Sequence, residues 1–201
     1  MDKTETAKKE LRRAMRARLA ALPPAYFARA GESIREQVLS SPEYRDAQSV
    51  FVYVSMPGEP PTDGIIRRAL LDGKRVYVPK CVGKEMLAVR VRDVEALTPG
   101  AYGIPEPADA DEMETAETLD LILVPCVAAS GDGRRLGHGA GYYDRFLQGP
   151  RGRTVCLCFR ETLLDELPVT ERDVRMDRVL TERQPLCPSA RAEEDSPPLQ
   201  L

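Results

Sequence analysis

The residues best able to do chemistry lie in one stretch, SGDGRRLGHGAGYYDRFL, which runs from Ser130 to Leu147 and sets Gly137, Gly139 and Gly141 among charged side chains. Glycine lacks the Cβ that keeps a backbone away from a ligand. Its N–H groups can therefore approach an anion closely, and the helix expected over Tyr143 to Leu147 adds a favourable dipole. Phosphate is the natural guest. The spacing is G-x-G-x-G, with Tyr142 in the place of the third glycine of a dinucleotide loop and no G-K-[ST] to follow, so neither common nucleotide loop is matched. Taken alone, such a cluster at a strand–helix junction is more often a turn. The flanks weigh against that. Arg134 and Arg135 supply cations, and Asp144, in the first turn of the expected helix, either favours the dipole or stands where Mg²⁺ beside phosphates would be held. Asp173, in LPVTERDVRMDRVLTE, is a second acidic candidate, with Asp177 one turn later if that piece is helical; solvated surface is the plain alternative for both.

What is scarce narrows the chemistry further. Zinc catalysis commonly needs two or three histidines and a nucleophilic triad needs one beside its nucleophile, whereas this chain has only His138. A thiol hydrolase using Cys126 and His138 is a weak rival, because no third orienting residue is evident. The five cysteines, Cys81, Cys126, Cys156, Cys158 and Cys187, are odd in number and form no C-x-x-C pair, so they read as reduced, mostly buried thiols. Lys and Arg total 29 against 32 for Asp and Glu, a formal charge of -3, which leaves no broad positive field to attract nucleic acid. The start, MDKTETAKKELRR, lacks the apolar core of about 7–15 residues of a signal peptide, and no later run approaches the ~18 apolar residues of a membrane span. The expectation is a cytoplasmic monomer with a small-molecule substrate and neither membrane nor nucleic-acid partners.

The elements that must position these residues can be read from apolar periodicity. Leu11, Met15, Leu19 and Leu22 form one stripe of a first helix, and Lys8, Arg12 and Arg16 follow at i, i+4 and i+8 as a cationic row beside it. A second helix follows Pro23 and Pro24 and runs to about Leu39. SVFVYVSM at 49–56, RVYVP at 75–79, a segment near 86–91, LDLILVP at 119–125 and TVCLCF at 154–159 have the apolar and β-branched density of buried strands, and a helical stretch near Asp63 to Asp72 lies between the first two. LTPGAYGIPEPADAD is too rich in Pro and Gly for regular structure. The pattern predicts an α/β fold, a single three-layer domain over 1–184 with a largely parallel sheet flanked by helices, and a disordered tail over 185–201. Segments beginning at Ser55, Pro79 and Pro125 would then meet at the carboxyl ends of the strands, where such sheets bind ligands.

RLGHGAGYYDRFL resembles the signature of the 5-formyltetrahydrofolate cyclo-ligase family, also called methenyltetrahydrofolate synthetase. Further pieces fall in matching order: KKELR at 8–12, MPGEPPT at 56–62, VPK at 78–80, YGIPEP at 102–107 and DVRMDRVLT at 173–181, so that the likeness spans nearly all of residues 7–181. The resemblance implies a ligase that closes 5-formyltetrahydrofolate to 5,10-methenyltetrahydrofolate, with ATP as co-substrate going to ADP and phosphate and with Mg²⁺ as cofactor. It places Lys8 and Arg12 on the ATP phosphates. Arg135, Leu136, Gly137, His138, Gly139, Ala140, Gly141, Tyr142 and Tyr143 become the nucleotide loop, with His138 to Tyr142 also facing folate. Asp144 and Asp173 serve magnesium, Val54 and Glu59 touch folate, Tyr102 is available for stacking, and Lys8, Arg135 and Asp144 carry the catalytic roles. Glu59 alone reads as a carboxylate able to accept from a pterin's N–H groups, or as a turn residue beside Pro60. His138 stands where the family often has Tyr, and Ala140 stands between two glycines. A relative acting on another pterin-like or carboxamide compound, and a non-catalytic folate- or nucleotide-binding protein, are the alternatives.

Overall fold

A computed structural model describes residues 3–100, 103–108, 112–149, 151–183 and 185–186. In chain order the elements are α1 (Lys3–Ala20), α2 (Pro24–Ser40), α3 (Pro42–Asp46), β1 (Ser49–Val52), α4 (Asp63–Leu71), β2 (Arg75–Val82), β3 (Glu85–Val91), β4 (Leu97–Pro99), β5 (Pro105–Pro107), β6 (Met113–Glu114), β7 (Leu121–Pro125), β8 (Ala128–Ser130), β9 (Arg135–Leu136), α5 (Tyr142–Phe146), β10 (Arg153–Leu157), β11 (Leu163–Leu164), β12 (Arg178–Leu180) and β13 (Pro185–Leu186). The main sheet has the order β13-β12-β10-β7-β1-β2-β3-β6. Its inner five strands, β12 to β2 in that order, pair in parallel, and the outer ones are antiparallel. β1 and β7 are buried throughout, as strands covered on both faces must be, with Val50 in register with Val76 on one side and Leu121 on the other.

Alternation along these strands divides the core in two. Val50, Val52, Leu121 and Leu123 pack with Ile34 and Val38 of α2 and Ile65 and Ile66 of α4. Phe51, Ile122, Val124 and Cys156 face the other way, where α5 lays Phe146 on Phe51 with ring centroids 5.1 Å apart. The expected α/β architecture with a largely parallel sheet and flanking helices is what forms.

Three segments differ from expectation. The Pro- and Gly-rich stretch contains a ribbon, β4 against β5, closed by Gly103 at φ +74° and by hydrogen bonds between Gly100 N and Ile104 O and between Gly103 N and Gly100 O. Prolines are tolerated in a two-stranded ribbon because half of its N–H groups need no partner strand. The segment from Asp173 to Asp177 is not helical; Asp177 instead accepts from the backbone N–H and hydroxyl of Thr154 at the start of β10. The tail expected to begin at 185 begins instead with β13, whose Leu186 pairs with Val179, and residues 187–201 lie outside the described residues.

Candidate active site

The carboxyl ends of β1, β2 and β7 bring Val54, Pro79 and Pro125 to one cavity of about 700 Å³, bounded on its other sides by α1 and the stretch from Arg135 to Arg145. The convergence expected of the segments beginning at Ser55, Pro79 and Pro125 thus forms, with Pro79 and Pro125 in the lining themselves and Val54 and Met56 there in place of Ser55. Lys8, Arg12, Val54, Glu59, Asp173 and every residue from Arg135 to Asp144 line it, while Tyr102 lies outside the described residues.

α1 turns two cations inward because the stripe carrying Met15 and Leu19 is packed on the protein. Lys8 is only 5% exposed. Its Nζ donates to both carboxylate oxygens of Asp173, at 2.8 and 2.6 Å, and Thr170 N donates to the same group at 2.6 Å. Burial would raise the Asp173 carboxyl, but Lys8 and the Thr170 N–H outweigh it and hold it below the usual carboxylate range. Arg12 Nε donates to Gly137 O at 2.8 Å, which fixes its guanidinium against the glycine loop. The basic row ends there: Arg16 is exposed and outside the lining, and Arg134 turns away to Asp132 at 3.0 Å.

Arg135 returns from the β8–β9 hairpin with a side chain only 3% exposed, and its Nη2 donates to Asp144 Oδ1 at 2.8 Å. Among the described residues its buried Nε–H has no acceptor, a costly state that a bound anion or water would relieve. Gly139 and Gly141 adopt φ of +110° and +70°, which L side chains rarely occupy, so glycine is required at both. Tyr143 packs edge-on against Phe51 and lies under the Arg135 guanidinium; burial pushes its phenol well above the ordinary range, so it stays neutral.

The opposite wall is the loop after β1. Tyr53 Oη donates to Pro60 O and Thr62 Oγ1 to Tyr53 O, which folds the loop back on itself. Glu59 is thereby tucked under the strand end, where Oε2 accepts from Met56 N at 2.8 Å and Oε1 lies 2.8 Å from His138 Nε2. The Cys126–His138 pairing does not form: Cys126 is buried outside the cavity lining, and its thiol is pushed well above its ordinary range by Cys156 and Cys158 and by burial.

The donor set suits a hard cation only in part. Among the described residues no three His, Cys, Asp or Glu groups are placed to hold a metal. Asp144 commits Oδ1 to Arg135 and to Val174 N, leaving Oδ2, whereas both Asp173 oxygens are taken by Lys8. Magnesium commonly binds through one or two carboxylates, substrate phosphates and water, so Asp144 fits that role better than Asp173. Sequence reasoning missed Cys81, Met86, Arg145 and Thr170 in the lining, although Cys81 lies just beyond Pro79 on a strand that was expected to open there.

Fold and cavity together define an α/β protein that sets buried cations and a glycine loop at the strand ends, opposite a buried carboxylate. The sequence profile of the 5-formyltetrahydrofolate cyclo-ligase family matches residues 4–182. A probable 5-formyltetrahydrofolate cyclo-ligase of Caenorhabditis elegans is 36% identical over 197 residues, which span 90% of this chain and 96% of that protein. The 5-formyltetrahydrofolate cyclo-ligase of Mus musculus is 32% identical, with the same two shares. The solved structure of 5,10-methenyltetrahydrofolate synthetase from Aquifex aeolicus matches with a TM-score of 0.82 at 30% identity, 96% of each chain being covered. The chain belongs to the 5-formyltetrahydrofolate cyclo-ligase family and, as a member, is a ligase. Among the described residues no helix is long and apolar enough to cross a membrane.

Proposed function

We propose that this chain converts 5-formyltetrahydrofolate to 5,10-methenyltetrahydrofolate, with ATP as co-substrate. The observation that carries the reading is the meeting, in one cavity, of Lys8, Arg12, Arg135 and the glycine loop with Glu59 and Val54, in a chain whose relatives are cyclo-ligases. ATP phosphates belong on the cationic side, where the Nε–H of Arg135 has no acceptor among the described residues. The folate ring belongs opposite, where Glu59 can accept from ring N–H groups.

The chemistry then needs no protein nucleophile. The formyl oxygen is a poor leaving group, so it attacks the γ-phosphate and expels ADP. N10 of folate then adds to the formyl carbon and gives up its proton to water, and the bond from that carbon to the phosphorylated oxygen breaks, so that phosphate leaves and the methenyl ring is closed. The protein's task is alignment and charge neutralisation, which Lys8, Arg12, Arg135 and loop amides supply. Magnesium, when bound, would offset phosphate charge beside Asp144, while Asp173 keeps Lys8 in place. Incubating the protein with ATP, magnesium and 5-formyltetrahydrofolate should produce methenyl absorbance, with one ADP per ring closed. ATP binding without that absorbance would point to another substrate.

A further inference from the structure

His138 carries a side chain in a loop otherwise chosen for having almost none. Its backbone lies between Gly137 and Gly139, but its imidazole crosses the cavity to Glu59, 79 residues away in sequence. The two ends of this bond differ sharply in exposure, 37% for the His138 side chain and 4% for that of Glu59. A carboxylate only accepts, so the proton of the bond lies on Nε2 of His138. Met56 N holds Oε2 alone, which leaves the carboxylate free to twist about that one point; the imidazole supplies the second. The phenols of Tyr53 and Tyr143 also feel the Glu59 charge. Tyr53 gives its hydroxyl proton to Pro60 O, and both phenols are buried and neutral, so neither brings a charge to the carboxylate.

We infer that His138 is a positioning residue that holds the Glu59 carboxylate in the plane in which it meets the substrate's N–H groups, and so sets affinity for the pterin without itself reacting. The inference rests on the function proposed above. Each carboxylate oxygen has two acceptor directions, so Glu59 can keep Met56 and His138 and still receive two donors from a ring edge. A side chain fixed before binding has less freedom to lose when the ligand arrives, and its loss should therefore fall on folate affinity.

Four variants test this: His138→Ala, His138→Gln, Glu59→Ala and the double alanine variant. His138→Ala should raise KM for 5-formyltetrahydrofolate about tenfold, with the loss in KM more than in kcat and with KM for ATP changed by less than about twofold. Glutamine places an N–H near the position of Nε2, so His138→Gln should recover most of the affinity. Because His138 acts through Glu59, the double variant should lose no more than Glu59→Ala alone. Losses that multiply, or KM values for ATP and folate that rise together, would overturn the inference. His138 is the only histidine. Its Nε2 proton can therefore be followed in ¹⁵N-resolved spectra without any ligand: held by Glu59 it should exchange slowly enough with water to be seen, and Glu59→Ala should erase that signal. A wild type that neither binds nor cyclises this folate would be a failure of the proposed function, and the ¹⁵N signature would then decide by itself whether His138 holds Glu59.

Discussion

At the scale of single residues the cavity depends on contacts that constrain one another. Gly139 adopts φ +110°, and a Cβ there would lie 3.3 Å from Arg12 Cζ, so Gly139→Val both strains the backbone and pushes the guanidinium off Gly137 O. Each penalty is on the order of 1–3 kcal/mol, and ATP affinity should fall tenfold or more while the protein still folds. Calorimetric titration beside a thermal melt checks this; unchanged affinity in folded protein would defeat the phosphate-loop role. Asp173 gives a prediction with a pH sign. Its carboxyl is held below the ordinary value in the folded state, so the stability it adds is complete above the unfolded value, about pH 4, and fades as pH falls through the lower folded value. Lys8→Met removes the partner, and the urea-midpoint gap between wild type and variant should be widest at pH 7 and narrow below about pH 4. A gap that ignores pH would show that Lys8 acts by packing. That Lys8 and Arg12 stand in a row beside the stripe of Met15 and Leu19 was legible from their spacing; that Lys8 is buried while Arg16 of the same row is exposed was not. The partnerships were not, because Lys8–Asp173 and Glu59–His138 join segments that no local periodicity relates.

Among the elements, the long strands and helices followed from their apolar runs, and the pieces that escaped were those held by something other than burial. The β4–β5 ribbon is such a piece. Its Pro and Gly content hides it, and it is tied to the sheet by Lys80, whose Nζ donates to Pro107 O and Ala108 O at 2.8 and 2.6 Å. Glu106, buried on β5, accepts weakly from Cys81 N, and a Cβ on Gly100 would collide with its carboxylate. Ile104, at the turn of this ribbon, reaches the cavity lining. Lys80→Met should therefore loosen the ribbon without unfolding the sheet, at a cost to global stability of about 1 kcal/mol or less. The expected result is faster hydrogen exchange at the Gly100 amide, which is bonded to Ile104 O, with a severalfold higher KM for folate and an unchanged KM for ATP. Equal exchange in wild type and variant would mean that the prolines alone hold the ribbon.

For the molecule as a whole, sequence could show that strands and helices alternate but not their order. Placing β1 between β7 and β2 depends on crossovers that only packing decides, and β12, three residues long, has no signal of its own. That order brings residues from both ends of the chain to one cavity: Lys8 and Arg12 from α1, the loop from 135 to 144, and Asp173 close to the last strands. A ligand spanning them binds only when all are in place, so it should stabilise the fold as a unit. At a concentration one hundred times its Kd a ligand adds about 2.7 kcal/mol, which for a chain of this size corresponds to a rise in Tm of about 5–10 °C. Arg12→Ala, if it weakens ATP about tenfold, should give only about half that rise at the same nucleotide concentration, because the gain then falls to about 1.4 kcal/mol. Without nucleotide its Tm should stay close to that of wild type, since Arg12 is only partly buried and its one bond to Gly137 O is worth about 1 kcal/mol. Melts of both proteins with and without ATP and magnesium read the two effects separately. An equal rise in both would place the nucleotide away from α1, and a lower starting Tm with an undiminished rise would make Arg12 a brace for the glycine loop instead of a phosphate ligand.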